Sequence, residues 1–176
     1  MKAVVDPNVL LVANGQHPDV SPECIEECVR RLLTMEKSGI TVIDDGFRVL
    51  GEYLHKTKLN PPKGVGDLFL KSLLRNAGNP ARVEQVRLTE SAENEFDECP
   101  DHALQPAFDP LDRKFVAAAN AHPDKPPIWR AADCTWLDWW PSLQNKGVKV
   151  DFLCPEDACG FYRKKFPDNP LPALPV

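Results

Sequence analysis

Three short apolar runs along the chain each end in an aspartate: Ala3-Val4-Val5-Asp6, Ile40-Thr41-Val42-Ile43-Asp44 and Ile128-Trp129-Arg130-Ala131-Ala132-Asp133. Runs this short, bounded by turn residues, predict buried strands. Residues 148–153 predict another. Between them the apolar spacing lengthens to that of helices. Ser21-Pro22 supplies an N-cap and a first-turn proline, and Ile25, Val29, Leu32 and Leu33 repeat at helical spacing up to Gly39. A second helix is expected from about Gly46 to His55, with Phe47, Leu50 and Leu54 on one face. Asn60-Pro61-Pro62-Lys63-Gly64 interrupts the chain, and Asp67 caps an expected helix carrying Leu68, Phe69, Leu70, Leu73 and Leu74 as far as Gly78. Residues 83–88 fit a half-exposed strand or a short helix, and the acidic stretch 90–101 reads as loop. Asp109-Pro110-Leu111-Asp112 opens a helix through Phe115 to Ala119, and a Trp-rich turn with a short helix follows strand 128–132.

Strands alternating with helices imply βαβ units with right-handed crossovers. The fold class expected is α/β: three layers, α/β/α, around a central, mostly parallel sheet of Rossmann type. Residues 1–154 form the expected domain. Residues 155–176 hold five of the 18 prolines without clear periodicity, so a proline-rich extension, wrapped on the body or docked on a partner, is expected there.

A hydrophobic fraction of 43% in 176 residues describes a globular chain rather than a disordered one. No apolar stretch approaches the roughly 20 residues of a membrane span, and Asp6 interrupts the first run. A cytoplasmic protein with no membrane partner is therefore expected, its six cysteines (24, 28, 99, 134, 154 and 159) reduced. Only Cys24-x3-Cys28 comes near zinc-site spacing and no second such pair exists, so the cysteines read as small buried apolar residues. The four histidines (17, 55, 102 and 122) form no ligand motif and are expected at the surface. The net charge of -5 announces no broad basic surface, although clustered carboxylates holding cations would account for most of the excess. Arg113, Lys114 and Arg130 are candidates for a local nucleic-acid contact.

If the strands lie parallel, their C-terminal ends share one edge, where open α/β sheets bind ligands. Asp6, Glu52, Asp112 and Asp133 are then brought toward one cleft. Such a cluster needs a cation or a shared proton, and oxygen donors suit Mg2+ or Mn2+. Asn8 would orient a water or phosphate, Asp138 is an auxiliary acid, and Asp44 is the second-strand alternative to Glu52. Each acid also has a plainer role open to it: a turn at Asp6, a solvated helix face at Glu52, and caps at Asp112 and Asp133. Trp136, Trp139 and Trp140 could stack on bases or belong to the core.

Val4-Val5-Asp6-Pro7-Asn8-Val9-Leu10-Leu11 and Phe108-Asp109-Pro110-Leu111-Asp112-Arg113-Lys114-Phe115-Val116-Ala117-Ala118 resemble the first and third motifs of the PIN-domain family of metal-dependent nucleases. Ala131-Ala132-Asp133 stands where that family carries a hydroxyl residue, any residue, then aspartate. The resemblance spans about residues 1–154. It implies an endonuclease in which Asp6, Glu52, Asp112 and Asp133 are catalytic and hold Mg2+ or Mn2+, two ions roughly 4 Å apart. The implied substrate is RNA, with single strands favoured. The implied settings are the toxin of a toxin–antitoxin pair, with an inhibitory antitoxin-type partner and homodimers, or a defence-system nuclease. A DNA-directed nuclease is the nearest alternative, and a non-catalytic PIN-fold binding module is the other. A haloacid-dehalogenase-like phosphatase is disfavoured because Asn8 replaces the second acid, and a receiver domain because the paired acids Asp44-Asp45 follow the second strand. Removing Asp6 or Asp133 is expected to relieve repulsion and raise the melting temperature.

Overall fold

A computed structural model describes residues 1–176. The elements in chain order are β1 (Lys2–Val5), α1 (Pro7–Ala13), α2 (Pro22–Ser38), β2 (Ile40–Asp44), α3 (Arg48–Lys56), α4 (Val65–Arg75) and β3 (Val83–Val86). Next come a small antiparallel hairpin, β4 (Glu90–Ala92) and β5 (Glu95–Phe96), then α5 (Arg113–Ala121), β6 (Ile128–Arg130), α6 (Trp136–Asn145), β7 (Val150–Phe152) and α7 (Pro155–Lys165).

Five strands form one parallel sheet in the order β3-β2-β1-β6-β7, and helices flank it to give three layers. The apolar runs are continuous rather than alternating because a parallel sheet is covered on both faces. Ala3, Val4, Val5, Val42, Ile43 and Ile128 are all fully buried. On one side α1, α2 and α4 pack together, while α5 lies against β1, β2 and β6. Gly66 lets α4 approach α1, since a Cβ there would overlap the Leu10 carbonyl. Burying one side chain such as Leu10 or Phe115 contributes about 1.5–3 kcal/mol. β1 sits between β2 and β6, so chain order reverses beside it and the crevice opens at the C-terminal ends of β1 and β6.

Several expectations hold in detail. Ser21 caps α2 by accepting from the Cys24 N–H (3.2 Å), and Gly39 follows the last turn. Others are corrected. The acidic stretch 90–101 is not all loop: it holds the β4–β5 hairpin, and the buried Gln105 side chain bonds both the N–H and the carbonyl of Phe96. Helix α3 starts after Phe47, whose φ of 56° takes it off the helical phase. The face that α3 buries is Val49, Leu50 and Tyr53, while Phe47 and Leu54 are exposed. Half of the segment after Cys154 is helix rather than extended tail. Residues Pro155–Lys165 form α7, with Pro155 at the first helical position, Glu156 and Asp157 in the first turn and Arg163, Lys164 and Lys165 in the last. That distribution suits the helix dipole at both ends. α7 buries Ala158, Cys159 and Tyr162, so it belongs to the body. Only the residues beyond it lack regular structure, and Ala173 accepts there from the Trp140 indole N–H (2.9 Å).

The cysteines are also corrected. Cys24 and Cys154 form a disulfide, while Cys28, Cys99, Cys134 and Cys159 are free and buried as expected. His122 is buried rather than at the surface, paired with Glu84. No helix is long and apolar enough to cross a membrane.

Candidate functional site

Asp6 follows the last residue of β1, and its side chain starts α1 by accepting from the Asn8 N–H (2.8 Å). Asp133 follows β6 by three residues, Asp112 directly precedes α5, and Glu52 sits on α3. All four line one cleft of about 190 Å3 together with Asn8, Lys56, Asp109 and Arg130. The four carboxylates expected to converge do so, at the sheet's topological switch point.

Their centre is a guanidinium. Arg130, the last residue of β6, is 1% exposed and sends its side chain into the cluster. Its Nη1 pairs with Asp6 and lies 3.4 Å from Asp112 Oδ1, and its Nη2 donates to Asp133 Oδ2 (2.6 Å). The Trp136 ring centroid is 4.2 Å from the guanidinium carbon, adding a cation–π contact. The Nε–H of Arg130 has no acceptor. Glu52 has a separate counter-charge: it pairs with the buried Lys114 of α5, and Lys56 lies 3.8 Å away.

Arg130 and Lys114 are thus internal cations rather than exposed nucleic-acid contacts. Arg113 is half-buried and donates to the Asn94 carbonyl (3.3 Å), outside the cleft. Among basic side chains, Lys56 is the exposed one that lines the cleft. Asp44 is fully buried and caps α3, accepting from the N–H groups of Arg48 (3.1 Å) and Val49 (2.9 Å). It does not line the cleft, and neither does Asp138, which accepts from the Tyr162 hydroxyl (2.8 Å). Asn8 and Asp133 also line a neighbouring hollow of about 280 Å3 with His17, Asp19 and Phe161, so the two depressions join across those residues.

The electrostatics divide the acids. Burial pushes Asp6 up to about 7, and the charges of Asp112 and Asp133 add to the rise against the pull of Arg130. Asp112 is also raised, chiefly by burial. Burial acts to raise Asp133 too, but Arg130 and two hydrogen bonds from Thr135 outweigh it and hold that carboxyl below its usual range. Those bonds come from the Thr135 backbone N–H (3.1 Å) and hydroxyl (2.7 Å). Thr135, two residues after Asp133, thus brings a hydroxyl as well as its N–H to that carboxylate. Tyr53, beneath Asp6, donates its hydroxyl to the Val5 carbonyl and fixes the end of β1.

The donor set can be tested for a divalent cation by its charge. Five carboxylates (Asp6, Glu52, Asp109, Asp112 and Asp133) less three cations (Lys56, Lys114 and Arg130) leave two formal negative charges. All-oxygen donors with that residual charge suit one hard divalent ion in kind, although Arg130 stands among the oxygens and no three of them lie within 4.8 Å of one another. With Arg130 among them, a second ion is not called for by charge.

Sequence reasoning missed Arg130 as a member of the cluster, and Asp109, Lys56 and Thr135 around it. A signal for Arg130 existed: it is the lone charge in an apolar run, three residues before Asp133. Comparison with protein-family models, with the sequences of characterised proteins and with solved structures gave no match.

Proposed function

We propose that the cleft binds one Mg2+ or Mn2+ and that the chain is a PIN-like endonuclease hydrolysing phosphodiester bonds of RNA. The observation that carries this reading is the meeting of Asp6, Glu52, Asp112 and Asp133 from four separate segments with two negative charges uncompensated. Asp6, Asp112 and Asp133 would hold the ion, with Glu52 beside them. A bound ion of this kind polarises a phosphoryl oxygen and generates a hydroxide nucleophile from water. The chain's own groups do the positioning. Asn8, where the two depressions join, offers an amide to a phosphate or water, and Lys56 offers an exposed cation at the cleft. Asp6 carries a proton part of the time near neutrality, which a cation would expel.

A second reading is favoured by one observation, the guanidinium of Arg130 lying among the same oxygens that an ion would use. On that reading the cluster is a structural ion network in a non-catalytic binding module. Against it stands the formal excess of negative charge in the cleft, since buried charges retained for stability alone are expected to be paired.

Incubating the purified chain with Mn2+ and labelled single-stranded RNA or DNA separates these readings. The expected result is metal-dependent cleavage of RNA, reduced about hundredfold or more by Asp6→Asn or Asp112→Asn, the size of losing several kcal/mol of charge stabilisation. Cleavage of DNA alone would move the substrate and keep the chemistry. Intact RNA and DNA, with no Mn2+ uptake, would leave the non-catalytic module.

A further inference from the structure

Away from the acidic cleft, three cysteines meet where α2 packs on the end of β7. Cys24 and Cys28 lie one turn apart on α2, and Cys154 caps the start of α7. All three are buried, and their sulfurs lie within 4.8 Å of one another. Cys24 and Cys154 are joined as a disulfide, leaving Cys28 Sγ 3.9 Å from Cys154 Sγ. The sequence shows one short Cys pair and no second, so only the fold brings in the third sulfur, from 126 residues beyond Cys28.

We propose that, once this disulfide is reduced, Cys24, Cys28 and Cys154 form a three-thiolate site for one Zn2+. In a tetrahedral zinc site with Zn–S bonds of ~2.3 Å, neighbouring sulfurs stand about 3.8 Å apart. The Cys28–Cys154 spacing already matches that edge, and Cys24 needs only to part from Cys154. The fourth position falls to a water from the adjoining cleft of about 340 Å3, which Cys24 and Cys154 line with Ser21, Glu23 and Asp157. The donor class selects the metal: soft thiolates take zinc, whereas the carboxylates of the other cleft suit magnesium or manganese.

The chemistry balances. Two equivalents of a small thiol convert the disulfide to two cysteine thiols and are themselves oxidised to one disulfide. Zinc then displaces three thiol protons as it binds. The site would keep α2 tied to the β7–α7 junction where reducing conditions open the covalent link. That junction also reaches the acidic cleft, because the Leu153 and Cys154 N–H groups donate to the carbonyls of Arg130 (2.8 Å) and Ala131 (3.2 Å).

The test titrates the full chain with Co2+, then Zn2+, after reduction by a phosphine, which is oxidised to its oxide and leaves no competing thiol. One equivalent of Co2+ should give a thiolate-to-metal charge-transfer band that Zn2+ abolishes, and the unreduced chain should give none. Cys28→Ser retains the disulfide pair as a folding control. After reduction it should bind at least about tenfold more weakly, since even outer partners of a ligand cost that much. Cys99→Ser and Asp6→Asn should bind like the parent, which separates this site from the acidic cleft. A reduced parent chain without the band, an equal band in the oxidised chain, or unchanged affinity in Cys28→Ser would each overturn the proposal.

Discussion

The two ends of the central sheet carry charge clusters of opposite character. At the N-terminal end, Lys2 bridges Glu84 (2.9 Å) and Asp124 (2.6 Å), and His122 pairs with the same Glu84. Hydrogen bonds to Asp124 and Glu84 hold Lys2 above its ordinary value, and the bond from Lys2 holds both acids below theirs. Lys2, Glu84 and Asp124 thus keep their charges more firmly than they would in water. At the C-terminal end, burial and mutual repulsion drive Asp6 and Asp112 the other way, toward neutrality, despite Arg130. The N-terminal network borders the larger hollow, about 630 Å3 against 190 Å3. Volume therefore points to the balanced end, while the direction of the shifts marks the end that lacks positive charge. Perturbation of that kind is the better guide to a functional site.

The sharpest way to break this contrast is to remove the cation at the C-terminal end. Arg130→Gln should cost about 3–5 kcal/mol in metal-free urea denaturation, because three buried or half-buried acids lose their partner. Added Mn2+ should restore part of the loss. Without such recovery, the residual charge would not be a cation site. In the parent chain, Mn2+ at a hundred times its Kd should stabilise by about 2.7 kcal/mol, and Asp6→Asn should abolish the gain in a thermal-shift titration.

The acids themselves should then diverge. Asp133 is held low, so its ionised form stabilises the fold above the ordinary aspartate range, and that contribution fades as pH falls through the folded value. Asp133→Asn should cost about 1.5–3 kcal/mol at neutral pH, the worth of hydrogen bonds to a charged group. The expectation of a higher melting temperature reverses at this position. Asp6 has the opposite sign. Its folded value of about 7 lies above the ordinary aspartate value of 3.8, so the folded chain holds the proton more tightly. Metal-free stability should decline as pH rises from about 4 to about 7 and level off above. Asp6→Asn should lack that decline and melt higher than the parent at pH 8. An Asp6→Asn protein that melts well below the parent at pH 8 would mean that the pairing with Arg130 outweighs repulsion. The smallest effect belongs to the balanced end, where Lys2→Met should cost under about 1 kcal/mol, since its side chain stays partly exposed.

Much of this contrast was legible in the chain. Asp6 and Asp133 close apolar runs, and in a parallel sheet such positions share an edge, so their meeting followed from periodicity and topology alone. Asp112 was legible from the Asp109-Pro110 helix start, although it stands at the residue before α5, without a capping hydrogen bond, rather than within the helix. Glu52 was a weaker inference, because α3 was phased from Phe47, Leu50 and Leu54, of which only Leu50 is buried and Phe47 lies in a left-handed turn ahead of the helix. Helix α7 was hidden by proline density, since the proline that opens a helix and those that follow it look alike in composition.

Continuous apolar runs, turn residues and terminal aspartates determined by themselves that this chain builds a parallel α/β sheet with acids along one edge, because hydrophobic period and strand ends are local properties. Tertiary structure alone decided which charges answer those acids. Arg130 turns inward to three of them, Lys114 crosses from α5 to Glu52, and Cys154 reaches Cys24 across 130 residues. Partners of this kind depend on distances between segments remote in sequence, which a local pattern does not encode.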